Sequence, residues 1–511
     1  MQLMPRFNLI EEPWIPVREG ETLREVGIRE ALLNAHSFDR IEDPSPLVEI
    51  ALLRVLLAVL HRALEGPKNR GELFSLLMPG KLPGKPIENY LSRFYERFWL
   101  IHDKAPFWQV PDLPLGKNPT PVGKLKPTQA TGDNPTLFDH SFDDDQSPLS
   151  FSGAARLLCA HQTFDPGGTL SGNREFFKVT SGKDAPLARA AVFVPYGKNL
   201  FATLLFLMPP YRKDMDRPFW EEPPLHPTDL IAASDGAPKK RLPFNGRTRV
   251  YTWYSRGIRL LAEKDQVCHI AYGPGVHPID PEHYHDPFTS IEIDSKRRAL
   301  KVVKLAKDRS FWRDFHTLIP EPGQGAPALV LDTARALIAK NEHRRHRPLS
   351  LLVTGQVTKP GQKKILEIRR EYFPLPTRAP LRKLGLYIRN SLAMVKSGAN
   401  CLNSALRKTA KALTAVSNTT GSKELNDMIE SFHATDYYYH HLGVLFPYFL
   451  ENLQLHPDSA LREWQDNVLR AIRKAWKHAR DQVGNKPRTL AALQKGESAL
   501  AACLRKEKKN E

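Results

Sequence analysis

The sequence predicts an α+β protein, with a large mixed α/β domain over residues 1–378 followed by a four-helix bundle over 379–511. Short runs rich in Val, Ile, Tyr and Phe recur through the first part, as strands require. Beyond Pro380 apolar residues recur three or four apart, as in Trp464, Val468, Ile472 and Ala475, so each helix can bury one stripe. The prolines at 374, 376 and 380 mark the change of pattern.

Taken in order, residues 7–17 read as a short extended entry, followed by a polar turn at Arg18–Glu21. Helices are predicted near 46–66 and 86–101, the second carrying Tyr90, Phe94, Phe98 and Leu100 on one side. Between about 104 and 150, Pro106, Pro111, Pro114, Pro119, Pro121, Pro127, Pro135 and Pro148 rule out a continuous helix and predict long loops. A helix is expected at 152–163, running into the glycine-rich segment 166–173. Strands are expected near 191–194, 201–207, 249–254, 267–272, 289–293 and 299–304, and a further helix at 328–341. Residues 349–373 read as two strands joined by a turn at Thr358–Lys363 containing Pro360 and Gly361. The bundle helices are predicted at 381–415, 422–453, 458–483 and 487–508, with breaks at Thr420–Gly421, His456–Pro457 and Gly484–Pro487.

The 511 residues carry 74 Lys plus Arg against 56 Asp plus Glu, a formal charge of +18. Such a balance suits an anionic partner, nucleic acid above all, because cations gain affinity by releasing counterions from phosphates. Solubility alone is the plainer reading. Residues 344–383 hold eleven Lys or Arg and two acids, and 376–511 hold an excess of ten cations. The four cysteines (Cys159, Cys268, Cys401 and Cys503) form no CxxC pair, so neither a zinc ribbon nor a disulfide framework is expected, and a reduced cytoplasmic setting fits. The start of the chain has no signal-peptide pattern. The apolar run Leu47–Leu64 is interrupted by Glu49, Arg54, His61 and Arg62, which predicts a buried core helix and no membrane span.

Three segments carry possible chemistry. His269, His277, His283 and His285, with Cys268, form a histidine-rich stretch in which His283 and His285 would share one face of a strand and suit a transition metal. Asp143–Asp145 could hold a divalent ion for phosphodiester cleavage, although solvated loop acids look the same. No GxxxxGK[ST], HExxH or GxSxG occurs. The third segment, Pro166–Asn173, has glycines that let backbone approach a ligand closely. Nearby in type, the 349–373 hairpin bears Lys359, Lys363, Lys364, Arg369 and Arg370 around a turn glutamine, Gln362. It could lie on phosphates while its tip enters a groove, or it could be an edge protected by lysines.

The opening Phe7-Asn8-Leu9-Ile10-Glu11-Glu12-Pro13-Trp14-Ile15-Pro16-Val17 closely resembles that of the CasA family, the large subunits of type I-E CRISPR Cascade complexes. The order of apolar helix, Ala105-Pro106-Phe107, proline-rich loop, glycine loop, basic hairpin and C-terminal bundle is similar over nearly the whole chain. The resemblance implies a non-catalytic subunit without a cofactor or metal. It implies recognition of the protospacer-adjacent motif (PAM) in double-stranded DNA, help in opening the duplex for guide-RNA pairing, and a docking surface for a recruited nuclease-helicase. Implied partners are crRNA and the backbone, small and 5′-handle-binding subunits. Residue by residue, it places Gly167, Gly168 and Gly172 in the PAM loop, Gln362 as a wedge flanked by Lys359, Lys363 and Lys364, and Phe138 as the anchor near the guide's 5′ end. Arg470, Arg473, Lys474, Lys477 and Arg480 of the bundle would hold the displaced strand. The Tyr272–Pro278 segment lacks the family's lysine, Lys264 being the nearest, and of the cysteine cluster some members carry only Cys268 remains. Two competing readings are a metal-dependent nuclease built on His283, His285 and Asp143–Asp145, and a basic RNA or protein scaffold with no DNA readout.

Overall fold

The chain begins with a strand, Arg6–Asn8, that pairs with Trp99–Ile101 and so closes the first hundred residues on themselves. In this computed structural model the described residues are 4–116, 120–126, 147–170, 174–179, 181–212, 216–231, 240–294, 299–340, 349–359, 364–377, 381–414, 422–484 and 486–510. They divide into two units. The first runs to Arg309 and takes in the stretch from Pro322 and the hairpin strands up to Phe373. The second takes Ser310–Glu321 and the chain from Pro374.

The helix Pro46–Ala63 lies at the heart of the first unit, buried along nearly its whole length. Its charged residues are not surface interruptions but buried groups with partners. Arg54 donates to Asp286 at 2.8 Å and to the Val250 carbonyl at 3.0 Å, and Arg62 pairs with Glu221 at 2.6 Å. A charge taken out of water needs such pairing, so this helix is tied to distant segments by its polar residues as well as its apolar ones. Among the described residues no helix is long and apolar enough to cross a membrane.

The first unit also holds several small sheets. Arg256–Glu263 and Gln266–Pro274 form a hairpin. Val192–Tyr196 pairs antiparallel with Leu349–Thr358, which pairs in turn with Ile365–Leu375. Three expected elements differ. Residues 201–207 are the helix Leu200–Phe206, because the Asn199 side chain accepts from the Ala202 amide and caps an apolar run that has no strand partner. Residues 249–254 open as the helix Arg247–Tyr251, entered through Gly246 at φ 76° and held by the Asp216 carboxylate on the Arg249 amide. The helix expected at 86–101 ends at Arg93, and Trp99–Ile101 is drawn into the strand with Arg6–Asn8.

The second unit is built on Leu381–Thr414, Ser422–Ser431, Ala434–Leu455, Pro457–Val483 and Pro487–Asn510. The helix expected at 422–453 is thus two, broken where His433 takes φ 47°. Trp464, Val468, Ala471, Ile472 and Ala475 are buried as the spacing requires. Ser310–Glu321 joins this unit through Trp312, which packs edge-on against Trp464 and tilted on Phe446. Gly496 brings the last helix close to the first, since a Cβ there would stand 2.1 Å from the Thr409 hydroxyl.

One expectation about the cysteines is overturned. Cys401 and Cys503 form a disulfide across 102 residues, joining the first and last helices of this unit. Spacing in the sequence gives no hint of it, because only helix packing brings the two together. Closing a loop of that size costs an unfolded chain entropy that the disulfide removes, up to roughly 4–5 kcal/mol in the chain-entropy model. Cys503→Ser is expected to lower the unfolding midpoint followed by tryptophan fluorescence, with dithiothreitol acting on the wild type in the same direction. An unchanged midpoint in both would show that the bundle does not depend on the link.

A candidate nucleic-acid interface

The helix Phe151–Phe164 ends at Asp165, and the chain turns through Pro166 and Gly167 into a two-residue strand, Gly168–Thr169, paired with Ser181–Gly182. The Gly167 amide donates to the Asp184 carboxylate at 2.6 Å. No other residue fits at 167, since a Cβ would lie 2.7 Å from the Asp184 amide nitrogen and 2.8 Å from the Gly182 carbonyl.

Beneath this small hairpin lies Arg256, whose side chain is fully buried and paired with Asp165. It donates to the Pro166 carbonyl at 3.1 Å and the Lys183 carbonyl at 2.9 Å, one on each arm of the hairpin. Its Nε donates to the Tyr272 hydroxyl at 3.2 Å, and that hydroxyl is also 3.0 Å from His161 Nε2. Burial pushes the Tyr272 phenol well above its ordinary range, with the Asp165 charge acting in the same direction. The phenol therefore stays a neutral hydrogen-bonding group. A cavity of about 30 Å³ beside the hairpin is lined by Gly182, Lys183, Trp253, Gly275 and His277 among others. It is far below the several hundred Å³ that a metabolite fills.

The long hairpin Leu349–Thr358 and Ile365–Leu375 is closed at its turn by the Lys359 amide on the Lys364 carbonyl at 2.9 Å. Lys359 is exposed and Lys364 half-buried. Arg369 and Arg370, counted with the basic cluster in the sequence, have partners within the fold, Arg369 buried and Arg370 exposed. Arg369 is held by Glu367 at 2.6 Å, and Arg370 donates to the Asp43 carbonyl at 2.9 Å and to Glu49 at 3.1 Å. They anchor the returning strand, and Lys359 at the described end of the turn faces water. The hairpin is also tied down by Gln356, which donates to the Ala188 carbonyl at 2.8 Å and to that of Phe164. Arg189 bridges the two hairpins: Nε donates to Asp184 at 2.8 Å and Nη1 to the Thr358 hydroxyl at 2.8 Å.

Of the residues singled out from the sequence, Gly167, Gly168, Lys359 and Lys364 are therefore gathered in one region of the first unit. Gly172, Gln362, Lys363 and Phe138 lie outside the described residues, as do Asp143, Asp144 and Asp145. Arg470, Arg473, Lys474, Lys477 and Arg480 are all exposed on Pro457–Val483, opposite its buried stripe. Arg470 contacts Asn467 at 2.7 Å, and Lys474 lies 3.5 Å from His441, whose imidazole is depressed by burial and by Lys474 and Arg470.

The histidine-rich stretch does not assemble. His283 ends a single turn, Pro281–His283, and no strand carries both it and His285, because Asp280 is left-handed (φ 51°) and Pro281 and Pro287 interrupt extended pairing. His285 Nε2 is 2.6 Å from the Thr289 carbonyl, His277 Nδ1 is 3.2 Å from that of Pro278, and His269 stands 4.0 Å from Glu263. Among the described residues no three His, Cys, Asp or Glu side chains converge as a metal site would require. The residues that sequence reasoning missed are Asp165, Asp184, Arg189, Arg256 and Tyr272. The one local signal was Arg256 itself, a charge at the start of a strand that carries Ile258, Leu260 and Leu261.

Glu49, buried on the core helix, has one oxygen on Arg370 and the Asp43 amide, while its other oxygen has no hydrogen-bond partner. Burial pushes its carboxyl up to about 7 despite those two contacts. The folded state then holds this proton more tightly than the unfolded chain, so stability falls as pH rises from about 4.5 to 7 and the loss is complete above that. Glu49→Gln is expected to flatten that slope and to gain at most roughly 3 kcal/mol at pH 8, with little change at pH 4.5. Thermal melts of both forms across this range test it, and parallel slopes would refute it.

The sequence profile of the family described as CRISPR-associated protein Cse1 (CRISPR_cse1) matches residues 8–475. CRISPR-associated protein CasA/Cse1 of Thermus thermophilus is 42% identical over 510 residues, covering 99% of this chain and 98% of that protein. The solved structure of Thermus thermophilus CasA (Cse1) superposes with a TM-score of 0.86 at 40% identity, covering 98% of this chain and all of that one. A chain of a CRISPR RNA-guided surveillance complex has a TM-score of 0.73 at 19% identity, covering 97% and 100%, a likeness of fold alone. With a match this long and an identity this high, the chain belongs to the Cse1 family of CRISPR-associated proteins, also named CasA.

Proposed function

We propose that this chain is the non-catalytic large subunit of a type I-E CRISPR surveillance complex, Cascade, where it recognises the PAM in double-stranded DNA and helps to open the duplex. Its family supports the assembly, and the fold it shares with a chain of an RNA-guided surveillance complex agrees with it. The observation that carries the DNA reading is the juxtaposition of two surface elements. A glycine hairpin held by buried Arg256 lies one arginine away from the turn of a basic hairpin. Glycine allows backbone amides to approach a groove edge, and the minor groove offers a degenerate pattern that such a reader tolerates. Gln362, between Lys359 and Lys364, would part the first target base pair, at a cost of a few kcal/mol that inserted and backbone contacts offset.

In this reading Phe138 anchors the subunit near the guide's 5′ end, and Arg470, Arg473, Lys474, Lys477 and Arg480 hold the displaced strand. The crRNA, the backbone, small and 5′-handle-binding subunits and a recruited nuclease-helicase are its partners in the cytoplasm. The exposure of all five bundle cations, on the face opposite the buried stripe, favours a polyanion over protein packing there. A metal-dependent nuclease is the weaker reading, since the His285 imidazole is directed to the Thr289 carbonyl and no strand sets it beside His283.

The decisive comparison is binding of guide-loaded complex, with and without this chain, to duplexes differing only in the PAM. Preference that depends on the chain supports the reading; preference unchanged by its removal leaves a basic scaffold. Shortening the 166–173 loop is expected to abolish discrimination in a competition assay while salt-dependent binding persists. Gln362→Ala should slow opening of the first target pairs, followed with 2-aminopurine, more than it weakens duplex binding. Equal loss in both would remove the wedge.

A further inference from the structure

The glycine hairpin and the basic hairpin are far apart in sequence, yet they are joined by a continuous set of side-chain hydrogen bonds. Asp184 uses its two carboxylate oxygens in opposite directions. Oδ1 accepts from the Gly167 amide at 2.6 Å, and Oδ2 accepts from Arg189 Nε at 2.8 Å. The same guanidinium reaches with Nη1 to the Thr358 hydroxyl, also at 2.8 Å. Thr358 is the last residue of its strand, and the next residue, Lys359, closes the turn on Lys364.

Both ends of this relay are firmly based. The Ala188 carbonyl, next to Arg189, is gripped by buried Gln356, two residues before Thr358 on the same strand and so on the same face. On the other side the Ala185 amide donates to the Asp165 carbonyl at 3.0 Å, and Leu187 to Thr163 at 3.0 Å. Arg189 thus spans two rigidly held backbones while its own side chain is about one-fifth exposed and Asp184 is nearly half exposed. A planar guanidinium can satisfy both partners at once, whereas a lysine ammonium on a flexible stem cannot hold two fixed acceptors in one plane. The exposed carboxylate is the part of the relay that a ligand on the Gly167 loop would disturb first.

We propose that Asp184, Arg189 and Thr358 couple occupancy of the glycine loop to the placement of the basic hairpin's turn, which makes Arg189 a positioning residue for duplex opening. The proposal rests on the reading that the first element recognises the PAM and the second opens the duplex. The coupling acts on the rate of opening, where it need not be symmetric: a loop settled on its motif favours the setting of the turn that opens the duplex, while the motif itself is chosen by the loop's own contacts. Arg189 touches no DNA in this scheme and acts through Asp184 and Thr358.

The test uses guide-loaded complex containing the full chain, with 2-aminopurine at the first target pairs, on duplexes with the wild type's preferred motif and with a mismatched one. Arg189→Lys and Thr358→Val are both conservative and leave the buried Arg256 platform intact. Each is expected to keep the equilibrium preference between motifs within about twofold while the preferred motif's advantage in opening rate falls roughly three- to tenfold, the size of one or two hydrogen bonds. The double variant should lose no more than the worse single one, because both break the same relay. A structural defect would instead lower binding and opening together on both duplexes. Wild-type opening rates in either single variant, or losses that add in the double, would overturn the coupling. A wild type that opens both duplexes equally would overturn the reading beneath it, and the coupling with it.

Discussion

A guanidinium with no exposure to water organises the surface of the first unit. Arg256 cannot lose its proton, so once it is buried it must be matched by a carboxylate and by carbonyl dipoles, and the fold supplies Asp165, Pro166, Lys183 and Ser255. Those acceptors lie at the end of a helix and on both arms of the glycine hairpin. The requirement to satisfy one charge therefore sets the path of the chain on either side of that hairpin. Removing the arginine would leave the Asp165 carboxylate buried and without its cation, the costly half of such an exchange. Tyr272 and His161 complete the shell, and their hydrogen bonds keep the charge from needing water. A reader made of backbone needs this kind of support from below, because glycine gives it no side chains with which to hold its own shape.

The charges of this strongly basic chain fall into two populations with different physics. Arg54, Arg62, Arg256 and Arg370 are engaged with carboxylates distant in sequence, and Arg369 reaches the distant Arg309 carbonyl. Lys359 and the five cations of the Pro457–Val483 helix face water, where they add long-range attraction for a polyanion at little cost to folding. Net charge alone does not separate the two groups. The division follows residue type in part: these paired positions are arginines, whose fork can serve two acceptors, and the turn uses lysines.

The Cys401–Cys503 link and the Glu49 carboxyl show the same economy of long-range constraint. One closes the helical unit end to end, and the other places a proton-sensitive group where the returning hairpin strand meets the core helix. Neither is counted among the surfaces proposed to meet DNA, although Glu49 holds Arg370 on the returning strand of the basic hairpin. The coupling drawn through Arg189 differs from both, since its members are partly exposed and lie between two such surfaces.

The sequence by itself determined the elements whose pattern is local. The buried core helix, the long hairpin and the last two bundle helices follow from apolar periodicity and from the positions of proline and glycine, which act within a few residues. The resemblance carried by Phe7–Val17 led to the family that the whole-chain comparison establishes. Where local and tertiary preferences competed, local reading failed: Leu200–Phe206 and Arg247–Tyr251 have strand-like composition but are helical because Asn199 and Asp216 cap them. Only the tertiary structure decided which charges are structural, that His283 and His285 do not share a strand, and that Cys401 meets Cys503. It alone decided that one arginine joins the two hairpins. These are pairings between residues remote in the chain, as between Arg189 and Thr358, 169 apart, or Arg54 and Asp286, 232 apart. Periodicity carries no information about them, because a hydrogen bond or an ion pair depends on where two backbones are brought together and not on what lies beside either residue in the chain.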